Sequence, residues 1–414
     1  PITNKSIKST NDNSLKYRYA YIMSHLFGSQ TSLREANRSA LLSYIRRFGA
    51  ITQIELAEAT GLSTATVSTL VRQLVKEGRL YTENTIHNGR RATLVALARR
   101  KGISAGLKIS RHSLDLIFID YELNIIAERT LLLPKQHIPD VTLERATLLI
   151  NETLSNINAS AKELIAIGVS ITAPIDKRTK TIAIPGIMPH WNNFDIISYL
   201  QSIFNIPVTL DNDANCCAVW ESRAGSVTKT TDFIYINTDD GAGASIMADG
   251  KIWRGVTGMA GEIGHIQVDP LGSICACGNR GCLNTFINEE RITSLLRVTH
   301  GDLTVEDLVR LANEGDPGCR RIIADTAIRI GTVAAELCTS VDPEIVVIGG
   351  LLVQSGSVFV DAFRESLHRL LFPDVLTPIQ VVVASNLTNC SALGAALEGI
   401  DAAEKIHHKT SQHL

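Results

Sequence analysis

Between residues 67 and 75 the apolar positions recur at helical spacing: Val67, Leu70, Val71, Leu74 and Val75. They form one face of a helix. Ser63 is its predicted N-cap, and Gly78 its predicted end. Two helices come first. Ser32-Leu33-Arg34-Glu35 is a capping-box pattern whose helix runs to Gly49, and Thr52-Gln53-Ile54-Glu55 opens a short helix over 53–59. Thr60-Gly61-Leu62 turns the chain. Alternating segments at 80–85 and 92–97 flank Asn88-Gly89, the signature of a hairpin. Helix, turn, helix and hairpin in this order predict a winged helix-turn-helix.

After Gly102 the period changes. Segments 103–109, 114–119 and 125–133 read as a strand meander, followed by a helix over 141–157. Strands are predicted at 164–171 and 208–210, with a helix from Asn212-Asp213 to 224. A second set begins with strands at 233–237 and 243–248, then helices between 289 and 341. A strand at 344–348, a helix at 361–371, a strand at 379–384 and a helix from Ser391 complete it. Strands alternating with helices predict an α/β body of mixed sheets covered on both faces. The expected organisation is a polar segment over 1–30 and a winged helix-turn-helix over 31–98. A first lobe covers 103–224, completed by a helix over 391–406, and a second covers 225–390. Two lobes leave a cleft, the usual place for a ligand.

Charge sharpens this division. Residues 1–102 carry a balance of +10 and residues 103–414 one of −12, within a net charge of −2. A basic end on an acidic body suggests an anionic partner for that end alone, with a charged tail that has no partner as the other reading, and the helix-turn-helix pattern makes double-stranded DNA that partner. Ser63, Thr64, Ala65, Thr66, Ser68, Thr69 and Arg72 stand opposite the apolar face of the third helix. Such short polar residues can approach base edges. Arg90 and Arg91 beside the hairpin turn suit phosphates or a minor groove. No apolar run approaches the roughly 18 residues of a membrane span, and the chain opens on no secretory pattern, so a cytoplasmic protein is expected.

Of eight cysteines, Cys216, Cys217, Cys319, Cys338 and Cys390 lie among apolar neighbours and read as core. Cys275, Cys277 and Cys282 cluster, with His265 ten residues before the first. One imidazole and three thiolates match a closed tetrahedral zinc site, structural because it keeps no open position. Gly278 and Gly281 let the loop close. Glu262 stands three residues before His265, and Asn212-Asp213 stands at a strand's carboxyl end. A carboxylate there can accept a hydroxyl proton or bond, while Asn-Asp at such a junction also serves as a helix cap.

The chain resembles the ROK family of sugar-responsive repressors and sugar kinases over residues 33–399. Gly261-Glu262-x-Gly264-His265 with Cys275-x-Cys277-Gly278-x-x-Gly281-Cys282 carries the resemblance, with Asp211-Asn212-Asp213-Ala214-Asn215 and Ile348-Gly349-Gly350. The third helix and the Gly-Arg-Arg wing resemble the family's DNA-binding extension. The resemblance implies a two-lobed, actin/hexokinase-like body. It implies that Asn212, Asp213, Glu262 and His265 contact a sugar or sugar phosphate, Asp213 being the general base in family kinases. Asn284 replaces the family's glutamate after Cys282-Leu283 and keeps hydrogen-bonding capacity without charge.

Family kinases carry an Asp-x-Gly-Gly-Thr turn for phosphate. The matching stretch, Gly106-Leu107-Lys108-Ile109-Ser110-Arg111-His112, has no acid at the Asp position and no glycine pair. The second loop, Thr238-Asp239-Asp240-Gly241-Ala242-Gly243, keeps two glycines but adds two acids that would repel a triphosphate unless both held metal. The sequence therefore predicts a sugar-responsive repressor with no catalytic residue, acting as a homodimer or dimer of dimers. A kinase with a DNA-binding appendage is the alternative.

Overall fold

A computed structural model describes residues 30–48, 50–87, 90–97, 102–371 and 378–410. They fall into two compact units that divide between Arg100 and Lys101. No helix among the described residues is long and apolar enough to cross a membrane.

The first unit comprises α1 (Gln30–Phe48), β1 (Ile51–Thr52), α2 (Gln53–Thr60), α3 (Thr64–Lys76), β2 (Leu80–His87) and β3 (Arg90–Leu97). Helix α1 starts at Gln30, so Ser32 lies inside it rather than at its cap. The second box is present: the Thr52 hydroxyl accepts from the Glu55 N–H, and the Glu55 carboxylate accepts from the Thr52 N–H at 3.0 Å. Gly61, at φ 70°, ends α2 in the left-handed region. Helix α3 ends at Lys76 with Glu77 as its C-cap, one residue short of Gly78. Arg38 is buried and donates to Glu77 at 2.8 Å, tying α1 to the end of α3. Val67, Leu70, Val71 and Leu74 pack with Leu41, Leu56 and Val95 in one core. The three strands order as β1-β3-β2, and His87 and Ile86 pair with Arg90 and Arg91. The 1–29 part of the polar segment and the Asn88-Gly89 turn lie outside the described residues.

The second unit begins with β4 (Ile103–Ile109), β5 (Ser113–Ile119), β6 (Ile125–Leu132), α4 (Pro139–Asn156), β7 (Leu164–Ile171), α5 (Ile196–Phe204), β8 (Val208–Asn212) and α6 (Asp213–Arg223). It continues with β9 (Phe233–Asn237), β10 (Gly243–Ala248) and β11 (Lys251–Ile252). Three short helices follow: α7 (Asn284–Ile287), α8 (Glu289–Ser294) and α9 (Arg297–His300). Then come α10 (Val305–Glu314), α11 (Pro317–Val341), β12 (Ile345–Gly349), α12 (Ser357–Leu370), β13 (Gln380–Val383) and α13 (Cys390–Thr410). Helix α5 was not anticipated, because its run Ile-Ile-Ser-Tyr-Leu-Gln-Ser-Ile-Phe mixes β-branched and aromatic residues that suit a strand equally well.

Two five-stranded sheets result, ordered β6-β5-β4-β7-β8 and β11-β10-β9-β12-β13. Both have the same design. Three strands run antiparallel, and the first of them also begins a parallel run of three. Helix α13 returns from the second set to pack on β4, β7 and α6. Its backbone lies flush there. A Cβ at Gly106 or Gly168 would sit 1.9 or 1.7 Å from the carbonyl oxygens of Ala392 and Ala395.

Candidate functional site

Helix α3 presents Ser63, Thr64, Ala65, Thr69 and Arg72 to solvent, with Thr66 and Ser68 half-buried. The Ser63 hydroxyl accepts from the Thr66 N–H at 3.1 Å and so caps the helix. Arg72 reaches Ser68 at 3.4 Å, a weak internal bond that leaves most of its donors free. The predicted contact residues of the helix therefore lie on its exposed and half-buried side, opposite its apolar core, while Arg90 and Arg91 stand at the start of β3.

In the second unit a cavity of about 410 Å³ is lined from both sheets by Asn212, Asp213, Glu262, His265 and Asn284. Sequence reasoning placed these five together, and the structure brings them to one pocket. Asn212 caps α6: its Oδ1 accepts from the Ala214 N–H at 2.9 Å. That puts Asp213 at the carboxyl end of β8, facing inward. Asp213 accepts from the Ala214 N–H at 2.8 Å and from Asn237 Nδ2 at 3.0 Å. Burial, the nearby charge of Asp239 and opposing help from Lys108 leave its pKa raised to about 6. Glu262 is pushed up to about 8 by burial and by Asp213. Near neutrality the pair thus holds one mostly ionised and one mostly protonated carboxyl, an acceptor beside a donor. Asn284 is more committed than expected. Its Oδ1 accepts from the Ala242 N–H at 2.9 Å, which leaves its amide as the free end.

Beneath the pocket, His265, Cys275, Cys277 and Cys282 place their ligand atoms within 4.8 Å of one another. Cys277 Sγ and Cys282 Sγ are 3.7 Å apart, and His265 Nδ1 and Cys275 Sγ 3.5 Å. Tetrahedral zinc would set two thiolates about 3.8 Å apart and a thiolate and imidazole about 3.6 Å apart, from its usual bond lengths. The donor set and its spacing fit a metal ion. The loop closes because Gly281 has φ 66°, and a Cβ there would meet the Asp269 carbonyl at 1.5 Å. Cys275 N–H donates to Asn279 O at 2.7 Å. The five other cysteines are buried, as their apolar neighbours predict.

The phosphate-loop stretches differ from expectation. The expectation for Asp239 and Asp240 is that they repel a triphosphate unless both hold metal. Instead Lys108 donates to Asp239 at 2.8 Å, Arg111 stands 3.0 Å from Asp240 and His112 2.9 Å from Glu289. Opposite charges in the two stretches were the available signal. A second network was also missed: Arg254 donates to Asp211 at 2.7 Å and to Glu398 at 3.1 Å, joining the segment after β11 to β8 and α13.

The ROK family profile matches residues 104–398, and a MarR family profile matches residues 35–91. The xylose repressor of Bacillus subtilis strain 168 is 26% identical over 374 residues, covering 90% of this chain and 97% of its own. The DNA-binding transcriptional dual regulator NagC of Escherichia coli strain K12 is 29% identical over 383 residues, covering 89% and 93%. Among solved structures, a ROK family transcriptional regulator, a homologue of the E. coli MLC protein, superposes with a TM-score of 0.76 at 21% identity, covering 91% of this chain and 98% of that one. A ROK glucokinase from Streptomyces griseus superposes with a TM-score of 0.62 at 23% identity, covering 72% and 100%.

Proposed function

The chain belongs to the ROK family, and we propose that it is a sugar-responsive, DNA-binding repressor whose effector occupies the pocket around Asp213. Asn212, Asp213, Glu262, His265 and the amide of Asn284 would meet ligand hydroxyls. A sugar or sugar phosphate is the substrate class that such a ring of acceptors and donors suits. Ser63, Thr64, Ala65, Thr66, Ser68, Thr69 and Arg72 would face the major groove, with Arg90 and Arg91 on phosphates or the minor groove. Two copies on a two-fold operator are the expected working form.

His265, Cys275, Cys277 and Cys282 would hold a structural zinc ion. It supplies a cross-link for the loop and fixes which imidazole nitrogen stays free. His265 turns Nδ1 toward Cys275, so its Nε2 is the nitrogen available to a hydroxyl.

The observation that favours a switch over an enzyme is the pairing of Lys108 with Asp239. Phosphoryl transfer needs bare backbone donors and a free metal-binding carboxylate. Here the stretch matching the kinase turn has no acid to hold a metal, and its buried Lys108 ammonium is instead paired with Asp239, an acid the family's second loop lacks. The test is an operator titration with and without xylose, glucose, N-acetylglucosamine and their phosphates. One of them should change operator affinity roughly 5- to 150-fold, a coupling of about 1–3 kcal/mol. Unchanged affinity across the panel defeats the switch. ADP release that depends on one of these sugars and vanishes in Asp213→Asn would instead establish the kinase.

A further inference from the structure

The ion pairs between the two sheets have a shared geometry. Lys108 is on β4, and Arg111 and His112 are in the turn after it, all in the first sheet's half. Asp239 and Asp240 follow β9 in the second sheet, and Glu289 opens α8. Lys108 is 9% exposed, and its ammonium meets one Asp239 oxygen at 2.8 Å. The other Asp239 oxygen accepts from the Leu351 N–H at 2.9 Å. Thr238 adjoins it, its N–H and hydroxyl both donating to Gly349 O at 2.9 Å. That turn closes only because Gly350, at φ 100°, has no Cβ to meet the Thr238 and Asp239 nitrogens. One residue earlier, Asn237 donates to Asp213 at 3.0 Å. Asn237, Thr238, Asp239 and Asp240 are consecutive, so one short stretch grips Asp213, the β12 turn and the basic turn of the opposite sheet.

We propose that Lys108, Asn237 and Asp239 are positioning residues. They form a seam that holds the two lobes together where a family kinase would seat nucleotide, and it fixes the Asp213 carboxylate in place before the effector arrives. The role given to Asp213 as an effector contact rests on the function proposed above; the seam itself does not. In a kinase a bound nucleotide bridges this end of the cleft. In this chain that place is spanned by the Lys108–Asp239 ion pair between the chain's own side chains.

A buried ion pair that loses one partner leaves an uncompensated charge, whereas a neutral pair of similar shape can restore stability. This separates positioning from folding. The full chain is compared with Lys108→Met, and with the double variant Lys108→Met, Asp239→Asn, in which Asn still accepts from the Leu351 N–H. The readouts are thermal stability and hydrogen exchange of peptides covering 211–217 and 235–242, without ligand. Lys108→Met should melt lower. The double variant should regain most of that loss, yet exchange at least about fivefold faster than the parent in both peptides, since local opening sets the rate. Parental exchange in the double variant overturns the proposal, because the pair would then be a packing element alone. If Lys108→Met does not fold, Arg111→Asp, at a half-exposed position, replaces it. It should speed exchange in 235–242, and its repair by Asp240→Arg should slow it again; failure on either count overturns the seam. Calorimetric titration of glucose, xylose and N-acetylglucosamine is the separate arm. If none binds the parent, the effector reading fails while the exchange result still decides the seam.

Discussion

Glu262 and Asp213 show how much a single proton matters in this pocket. The ordinary pKa of Glu262 is 4.5, and in the folded chain it stands near 8. Between those values the folded state keeps a proton that the unfolded state has lost. Its contribution to stability therefore falls as pH rises from about 4.5 to 8 and is level above that. Glu262→Gln imitates the protonated acid and should remove this part of the slope. Denaturant unfolding at several pH values checks it: the variant should gain on the parent as pH rises. The pocket residues were legible because each is polar at a strand end or beside the cysteine cluster. Lys108 and Asp239 were not, because 131 positions separate them. The opposite charges stand in the two stretches, but only the fold shows that Lys108 on β4 answers Asp239 after β9.

Among the elements, α3 carries the clearest division of labour. One face is buried in the core of its unit, and the other offers small polar residues and Arg72. Arg72→Ala should leave melting within about 0.5 kcal/mol, as exposed substitutions do. It should weaken operator binding and lower the salt slope by roughly one ion if the guanidinium meets a phosphate, or relax sequence preference if it meets a base. Fluorescence anisotropy against salt and sequence distinguishes these. Strands β7, β9 and β10 matched their sequence reading to the residue, since each is a short, mostly apolar segment. The start of α1 did not, because a capping pattern can also lie within a helix. Helix α7 precedes the helical stretch predicted from 289 and was not anticipated, and within that stretch α8 and α9 were not separated, as their break at Leu295-Leu296 carries no glycine or proline.

At the scale of the whole chain, two units have separate cores. Calorimetry should resolve two transitions. Cys277→Ser, or a strong zinc chelator, should lower only that of the larger unit, because the cysteine loop belongs to it. Metal analysis should find about one zinc per parent chain and less in the variant. A chain with two unchanged transitions after metal loss would show the loop to be stable without an ion.

Helix α13 carries a consequence for synthesis. It seals the face of β4 and β7 at Gly106 and Gly168, yet it is made after the entire second sheet. As the chain leaves the ribosome, its amino-terminal parts emerge first and fold as units. The first lobe must therefore wait, one greasy side uncovered, while its twin is completed. A nascent chain stalled before Cys390 should be sticky and protease-sensitive in that half, and chaperones would find their customer there.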